Sequence, residues 1–203
     1  MIFFVRHAES HSNAGGITMA HEAIPLSEKG RAQAQALAAA LPPAPAAVLV
    51  SGMVRTHQTA APYCALHGVP PREHAGLNEF SVVDGRLIAG MYGAERREFV
   101  RQYWENPDPH RRWGEKADTF LEFQARVKDF AGGMDGLAEG TAVFGHGIWL
   151  TMLHWLLAGN EARDSADMQA FKRFALGLPM PNCGVFRAER AGEGWTIRAV
   201  GGV

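Results

Sequence analysis

The sequence predicts an α/β fold: a three-layer α/β/α arrangement around a mostly parallel sheet, with an antiparallel C-terminal edge and a small helical cap insertion. Three observations predict it. Short apolar runs alternate with longer Ala-, Leu- and Gln-rich stretches, the rhythm of buried strands and packed helices. That rhythm breaks once, over residues 81–114, where Gly, Arg and aromatic residues gather. Two further strand-like runs flank Gly192-Glu193-Gly194, which reads as a hairpin and so as an antiparallel edge.

In chain order, Ile2 to Val5 is a four-residue apolar run ending in polar residues, consistent with a buried strand. Ser27 to Leu41 stops at Pro42 and reads as a helix with Ser27 as its N-cap. Ala47 to Val50 is a second strand. Val54 to His67 is a helix weakened or kinked by Pro62 and closed by Gly68. Arg72 to Leu77 is a weak third strand. After the insertion, Phe120, Phe123, Val127 and Phe130 fall on one helical stripe, which must face a core. Thr141 to Phe144 is a fourth strand and Ile148 to Leu157 the helix after it. Val185 to Ala188 and Thr196 to Val200 form the hairpin. No repeat is present, and residues 1–203 are expected to form one domain with its cap at about 81–114.

Composition narrows the function. Hydrophobic residues make up 47% of the chain and charged residues 20%, which excludes a disordered chain. A net charge of −1 gives no global field for nucleic acid or an acidic membrane. Two cysteines, Cys64 and Cys183, are too few for a disulfide framework. The longest apolar stretch, Ile148 to Ala158, is too short to span a bilayer. Met1 leads straight into the first strand with no basic leader, so the expected location is the cytoplasm. Sixteen arginines stand against four lysines. Genomic base composition accounts for most of that bias, but a guanidinium fork also matches phosphate and carboxylate bidentately.

In open α/β sheets ligands sit beyond the carboxyl ends of the strands. The first strand is followed by Arg6-His7-Ala8-Glu9-Ser10-His11-Ser12-Asn13, and the second by Ser51-Gly52-Met53-Val54-Arg55-Thr56. Leu77-Asn78-Glu79-Phe80 lies near the third, and Gly145-His146-Gly147 follows the fourth. A lone His or Arg at a strand end is usually structural. Two Arg, two His and one Glu at four strand ends expected to lie together are much harder to dismiss as structural.

Those residues resemble a family. Arg6-His7-Ala8-Glu9-Ser10 is similar to the Arg-His-Gly-Glu-Ser/Thr signature of the histidine phosphatase superfamily, in its phosphoglycerate mutase-like branch. Asn13 matches the Asn that follows the signature. Pro25 to Ala34, Ser51 to Ala60 with Arg55, Leu77-Asn78-Glu79, and His146-Gly147 resemble the family's later segments, in order and over nearly the whole chain. The resemblance implies that His7 is a nucleophile that becomes a phosphohistidine, and that Glu79 exchanges the proton of the leaving alcohol and then of water. It implies that Arg6, Arg55 and His146 hold the phosphoryl oxygens, with Asn13 as a neutral donor. Fixed cations would then stabilise the transferring group, so neither a metal nor another cofactor is expected.

The sequence departs from the family pattern at three places. Ala8 replaces the usual Gly, Gly145 stands where Ser or Thr commonly precedes the second His, and Ala23 stands where many members have Asp. None removes a charged catalytic group, which argues against a silent phosphate-binding module. Ser12 occupies the position where cofactor-dependent mutases carry Trp, Glu79-Phe80-Ser81-Val82-Val83 lacks their Glu-Arg-His-Tyr-Gly run, and no long tail follows the last strand. The sequence therefore favours a phosphomonoester hydrolase over a phosphoryl-transfer isomerase of the phosphoglycerate mutase type. The expected partner is a small phosphorylated metabolite, not nucleic acid or membrane.

Other candidates were weighed. His7 and His11 are four apart and His21 precedes Glu22, but no HExxH helix is present and a zinc site is not expected. His154 lies in an apolar helix and reads as a packed residue. Glu9 reads as orienting the site rather than reacting. Glu95 to Lys116 holds six basic and five acidic residues, a solvated helical face. Its aromatic residues read mostly as packing. Arg86, Arg96, Arg97 and Arg101 leave open a substrate with a second anionic group.

Overall fold

The computed structural model describes residues 1–202. Its strands and helices, in chain order, are β1 (Ile2–Arg6), α1 (Glu28–Ala40), β2 (Val48–Val50), α2 (Val54–His67), β3 (Pro71–Glu73), α3 (Gly85–Ile88), α4 (Gly93–Glu105), α5 (Phe120–Gly132), β4 (Thr141–Gly145), α6 (Gly147–Leu157), α7 (Ser165–Gly177), β5 (Val185–Ala191) and β6 (Gly194–Gly201). The six strands form one sheet in the order β3-β2-β4-β1-β5-β6. The first four are mutually parallel, and β5 and β6 are antiparallel. This is the α/β architecture expected from the sequence.

Alternation along β1 builds the three layers. Ile2 and Phe4 face a core filled by α5, α6 and α7, including Phe123, Phe130, Trp149 and Phe171. Phe3 and Val5 face the other way, onto Ala34 and Leu37 of α1 and Ala60 and Tyr63 of α2. β1 and β4 are buried at nearly every position, as expected for inner parallel strands covered on both faces. The stripe Phe120, Phe123, Val127 and Phe130 is fully turned inward.

The local start and stop signals act as the sequence suggested. Ser27 caps α1 by accepting from the Gly30 amide. Gly68 closes α2 in the left-handed conformation at φ 66°, a region glycine enters without steric cost. α2 runs unbroken through Pro62.

Two elements differ from the sequence reading. β3 ends at Glu73 instead of running to Leu77, and Ala75–Leu77 is a 3₁₀ turn. The His74 ring accepts from the Gly76 amide at 3.1 Å, and Trp149 donates to the Gly76 carbonyl at 2.7 Å, so the chain turns inward. That turn buries Leu77 and delivers Glu79 to the strand ends. α7 has no counterpart in the reading. Asp164 caps it, and Met168 and Phe171 are its buried residues, a narrow stripe at helical spacing.

Residues 81–114 fold as α3, α4 and their connections. The backbone of this segment is tied to the loop after β1: Thr18 donates to Met91, and Gly90 to Thr18, at 2.8 and 3.1 Å. Tyr103 and Trp104 pack among Phe80, Phe120 and Phe171, so these aromatics serve the core. No helix among the described residues is long and apolar enough to cross a membrane.

α1 also braces the loop after β1. The Ser27 amide donates to the Glu9 carbonyl at 2.9 Å, and Gly30 lies flat against that same carbonyl. A side chain at Gly30 would collide with it, whereas one at Gly136 would meet nothing within 4 Å. Gly30→Ala is therefore expected to lower unfolding free energy by about 3 kcal/mol, the upper range for overpacking. Gly136→Ala should stay within about 0.5 kcal/mol of wild type. Urea denaturation of both variants measures this, and equal stabilities would refute the close approach.

Candidate active site

A cavity of about 280 Å³ opens at the carboxyl ends of β1, β2 and β4. Arg6, His7, Asn13, Arg55 and Glu79 all line it. His146, the sixth residue singled out from the sequence, is fully buried beside His7, with ring centroids 5.3 Å apart. All six are thus brought together.

His7 is the first residue beyond β1, and its amide donates to the Gly145 carbonyl at 3.0 Å. Its side-chain Nδ1 lies 2.7 Å from the Ala8 carbonyl. A carbonyl only accepts, so Nδ1 carries the proton and Nε2 keeps its lone pair. Burial, then the charge of Arg55, pushes the His7 pKa down to about 3, and the imidazole is neutral at ordinary pH.

The two arginines carry charge into this site without a directly paired carboxylate. Arg55, in the first turn of α2, is 4% exposed. Its Nη1 donates to the His21 carbonyl at 2.8 Å and its Nη2 contacts His21 Nε2 at 3.3 Å. Arg6 donates to the Met180 carbonyl, and its Nε is buried without a partner. Among the described residues neither forms an ion pair within 4 Å. Burial lowers both pKa values, that of Arg55 to about 10, which still leaves it charged at neutral pH.

Glu79 sits over the N-terminus of α6. Its Oε1 accepts from the Phe80 and Trp149 amides, both at 2.9 Å, and its Oε2 from Ile148 at 3.2 Å. These bonds and Arg55 favour the carboxylate, but desolvation outweighs them and raises the pKa above the usual range. Glu79 therefore holds a proton at higher pH than an ordinary glutamate.

Two further side chains set orientations. Asn13 Oδ1 accepts from the Ser10 amide, the Ser10 hydroxyl and Asn182 Nδ2, at 3.2, 3.0 and 3.2 Å. With its acceptor occupied three times, the Asn13 amide nitrogen is the group left for a ligand. Asn182 also donates to the His7 carbonyl at 2.9 Å. Ser51 Oγ lies 2.8 Å from His146 Nε2, while His146 Nδ1 is buried with no partner. When Ser51 donates to Nε2, the proton of the neutral ring resides on Nδ1.

Glu9 points away from the cavity to Ser27 Oγ and Lys29 Nζ, at 2.8 and 3.0 Å, and so ties the loop after β1 to α1. His154 packs edge-on against Phe186, as expected for a core residue. Among the described residues no three His, Cys, Asp or Glu side chains converge on a metal position.

Sequence reasoning missed His21 and Asn182. His21 was weighed only as a metal ligand, yet it lines the cavity and holds Arg55. Asn182 precedes β5, and because β5 is antiparallel its leading end lies beside the carboxyl end of β1. Searching the residues ahead of the antiparallel strand would have found it.

The chain belongs to the histidine phosphatase superfamily (branch 1), whose family model matches residues 2–202. Solved structures share the fold. An Escherichia coli K-12 protein assigned provisionally as an alpha-ribazole-5'-P phosphatase is 21% identical, with TM-score 0.78 and coverage of 98% of this chain and 94% of that one. The alpha-ribazole phosphatase of Shigella flexneri is 20% identical, with TM-score 0.76 over 98% and 95%. Mycobacterial glucosyl-3-phosphoglycerate phosphatase is 21% identical, with TM-score 0.68 over 98% and 95%. Among curated protein sequences, none matches this chain.

The buried histidines give a direct test. His7 and His21, both with pKa values lowered to about 3, should remain neutral as pH falls through the ordinary imidazole range. Their ring NMR resonances should therefore show no titration step between about pH 8 and 5, where unperturbed histidine charges. A step in that window at either ring would contradict the burial described.

Proposed function

We propose that this protein is a metal-independent phosphomonoester hydrolase that works through a phosphohistidine at His7. One observation carries the proposal: a neutral imidazole with a free Nε2 shares its cavity with two arginines that have no carboxylate partner. A phosphoryl group is the ligand whose charge and geometry use all three. Membership in the histidine phosphatase superfamily supports the reading, as do the phosphatase names of structurally similar proteins.

In the first step His7 Nε2 attacks phosphorus and the bond to the ester oxygen breaks. Glu79 gives its proton to the departing alkoxide, which leaves as the alcohol. Arg6, Arg55 and Asn13 donate to the phosphoryl oxygens, and the unpartnered Nδ1 of His146 supplies a further donor. Their positions are fixed before substrate arrives, so little reorganisation is needed as charge develops. In the second step Glu79, now a carboxylate, takes a proton from water as its oxygen attacks phosphorus. The P–N bond breaks, phosphate departs and both side chains return to their starting states. The substrate is a small phosphorylated metabolite.

Hydrolysis of p-nitrophenyl phosphate in EDTA, wild type beside His7→Ala, tests the proposal. Activity should survive chelation and vanish in the variant, with a phosphohistidine trapped in wild type by rapid quench. Loss of activity in EDTA, or turnover by His7→Ala, would overturn it.

The proton on Glu79 sets the pH dependence. With alkyl esters, the single-turnover rate of phosphoenzyme formation should stay high in acid, because His7 charges only near pH 3, and fall as pH rises through the elevated Glu79 pKa. Glu79→Gln should lower alkyl phosphate turnover by about 10²- to 10⁴-fold, the range for a positioned general acid. In single-turnover phosphoenzyme formation it should cost p-nitrophenyl phosphate far less than alkyl esters, since nitrophenolate leaves without a proton. Equal losses on both esters would remove Glu79 from that role.

A further inference from the structure

Glu79 reaches the cavity from a stretch of chain that is neither helix nor strand, between the turn at Ala75–Leu77 and α3. Two of its three amide donors, Ile148 and Trp149, belong to α6 and grip only the carboxylate. The backbone beneath the carboxyl is held by a different pair of side chains.

Arg126 of α5 and Asp118, just ahead of the N-cap Thr119, form a two-pronged ion pair. Nη1 donates to Oδ1 at 3.0 Å and Nη2 to Oδ2 at 2.8 Å. Each partner also holds the chain around Glu79. Arg126 Nη2 lies 3.4 Å from the carbonyls of both Asn78 and Glu79. Asp118 Oδ2 accepts from the Ser81 amide, and the Asp118 amide donates to the Ser81 carbonyl, both at 2.9 Å. The pair thus brackets residues 78–81, with Glu79 and Phe80 inside. Phe80 stacks on Phe123 with centroids 4.6 Å apart, and the Arg126 guanidinium lies 5.5 Å from that same ring.

Arg126 and Asp118 do not line the cavity of Glu79 and His7. Their charges offset one another within the pair, and the cation that acts on the Glu79 carboxyl is Arg55. Arg126 therefore reaches the site only through the backbone it holds. Arg6, His7 and Arg55 are carried by β1 and α2, which the bracket does not touch.

We infer that Arg126 and Asp118 are positioning residues, which together hold the 78–81 backbone so that the Glu79 carboxyl stays over the N-terminus of α6 and within reach of the leaving oxygen. The inference rests on the phosphatase reading above. A general acid passes its proton only within hydrogen-bond reach, about 2.6–3.2 Å between heavy atoms. A displacement of about 1 Å is enough to disengage it.

Single-turnover formation of the phosphoenzyme tests this. Arg126→Met and Asp118→Asn should each slow transfer from alkyl phosphates about tenfold or more, and transfer from p-nitrophenyl phosphate about twofold at most, since nitrophenolate needs no proton. Combining the two should slow alkyl esters little more than either alone, because either one opens the bracket. In a Glu79→Gln background Arg126→Met should cost nothing further on alkyl esters. A pair that only stabilises the fold would cost the same in both backgrounds. That result, or equal losses on the two esters, would overturn the inference. Asp118→Asn, which keeps the side-chain shape, carries the test if Arg126→Met does not fold.

Hydrogen exchange reads the same bracket without turnover. The Ile148 and Trp149 amides lie in the first turn of α6, where a helix supplies no acceptor of its own, and Glu79 takes that place. Both amides should exchange about tenfold faster or more in Arg126→Met. The Leu150 amide, bonded to the His146 carbonyl, should exchange as in wild type. A wild type that forms a phosphoenzyme, with exchange unchanged in the variant, sinks the bracket alone. Faster exchange in the variant, with no phosphoenzyme from either ester in wild type, sinks the phosphatase reading and keeps the bracket as what holds Glu79.

Discussion

One buried and one half-buried guanidinium group, neither with a carboxylate within 4 Å, set the terms for the rest of this molecule. Removing a charge from water costs free energy unless something replaces its hydration. Here the replacement is partial: backbone carbonyls of His21 and Met180, and the His21 ring. Burial first, and then the remaining field, push the nearby histidines toward neutrality. It also favours the carboxylate of Glu79, whose pKa is nevertheless raised by burial. Burial and that positive charge together suit the site to an anionic ligand.

The surrounding structure holds the charges still. β1 is pinned between parallel β4 and antiparallel β5, and its last residues are fixed from both sides. The His7 amide reaches Gly145, while the carbonyls of Arg6 and His7 accept from the Cys183 amide at 3.1 and 3.4 Å. Cys183 adopts φ 58°, a region costly for a residue with a side chain, and the turn from Pro181 to Gly184 is what requires it. α1 and α4 brace the loop after β1 from outside. The nucleophile candidate, its orienting contacts and the loop are thus parts of one packed unit.

Much of this was legible in the sequence because parallel strands announce themselves. A short apolar run followed by a helix puts whatever lies between them at one end of the sheet, and that rule gathered Arg6, His7, Arg55 and His146. Glu79 followed from its motif, although the strand assigned before it was too long. The sequence showed no sign that His74 and Gly76 would turn the chain. His21 sits in a loop with no periodicity, so only the folded chain shows that it meets Arg55. Asn182 was hidden by topology: the rule for parallel strands looks after a strand, and β5 contributes the residue ahead of it. α7 escaped because it buries only a narrow apolar stripe.

The contact between Asn182 and His7 spans 175 positions, and the Arg6 contact to Met180 spans 174. Such pairings are reached late in folding, because the entropy of closing so long a loop must be met before the contact returns anything. During synthesis the chain emerges N-terminus first. The imidazole therefore leaves the ribosome about 175 positions ahead of the side chain that holds its carbonyl. Until that later segment emerges, His7 lacks those contacts. The arrangement around His7 is complete only when β5 docks on β1, which makes it a property of the finished fold rather than of the signature that announces it.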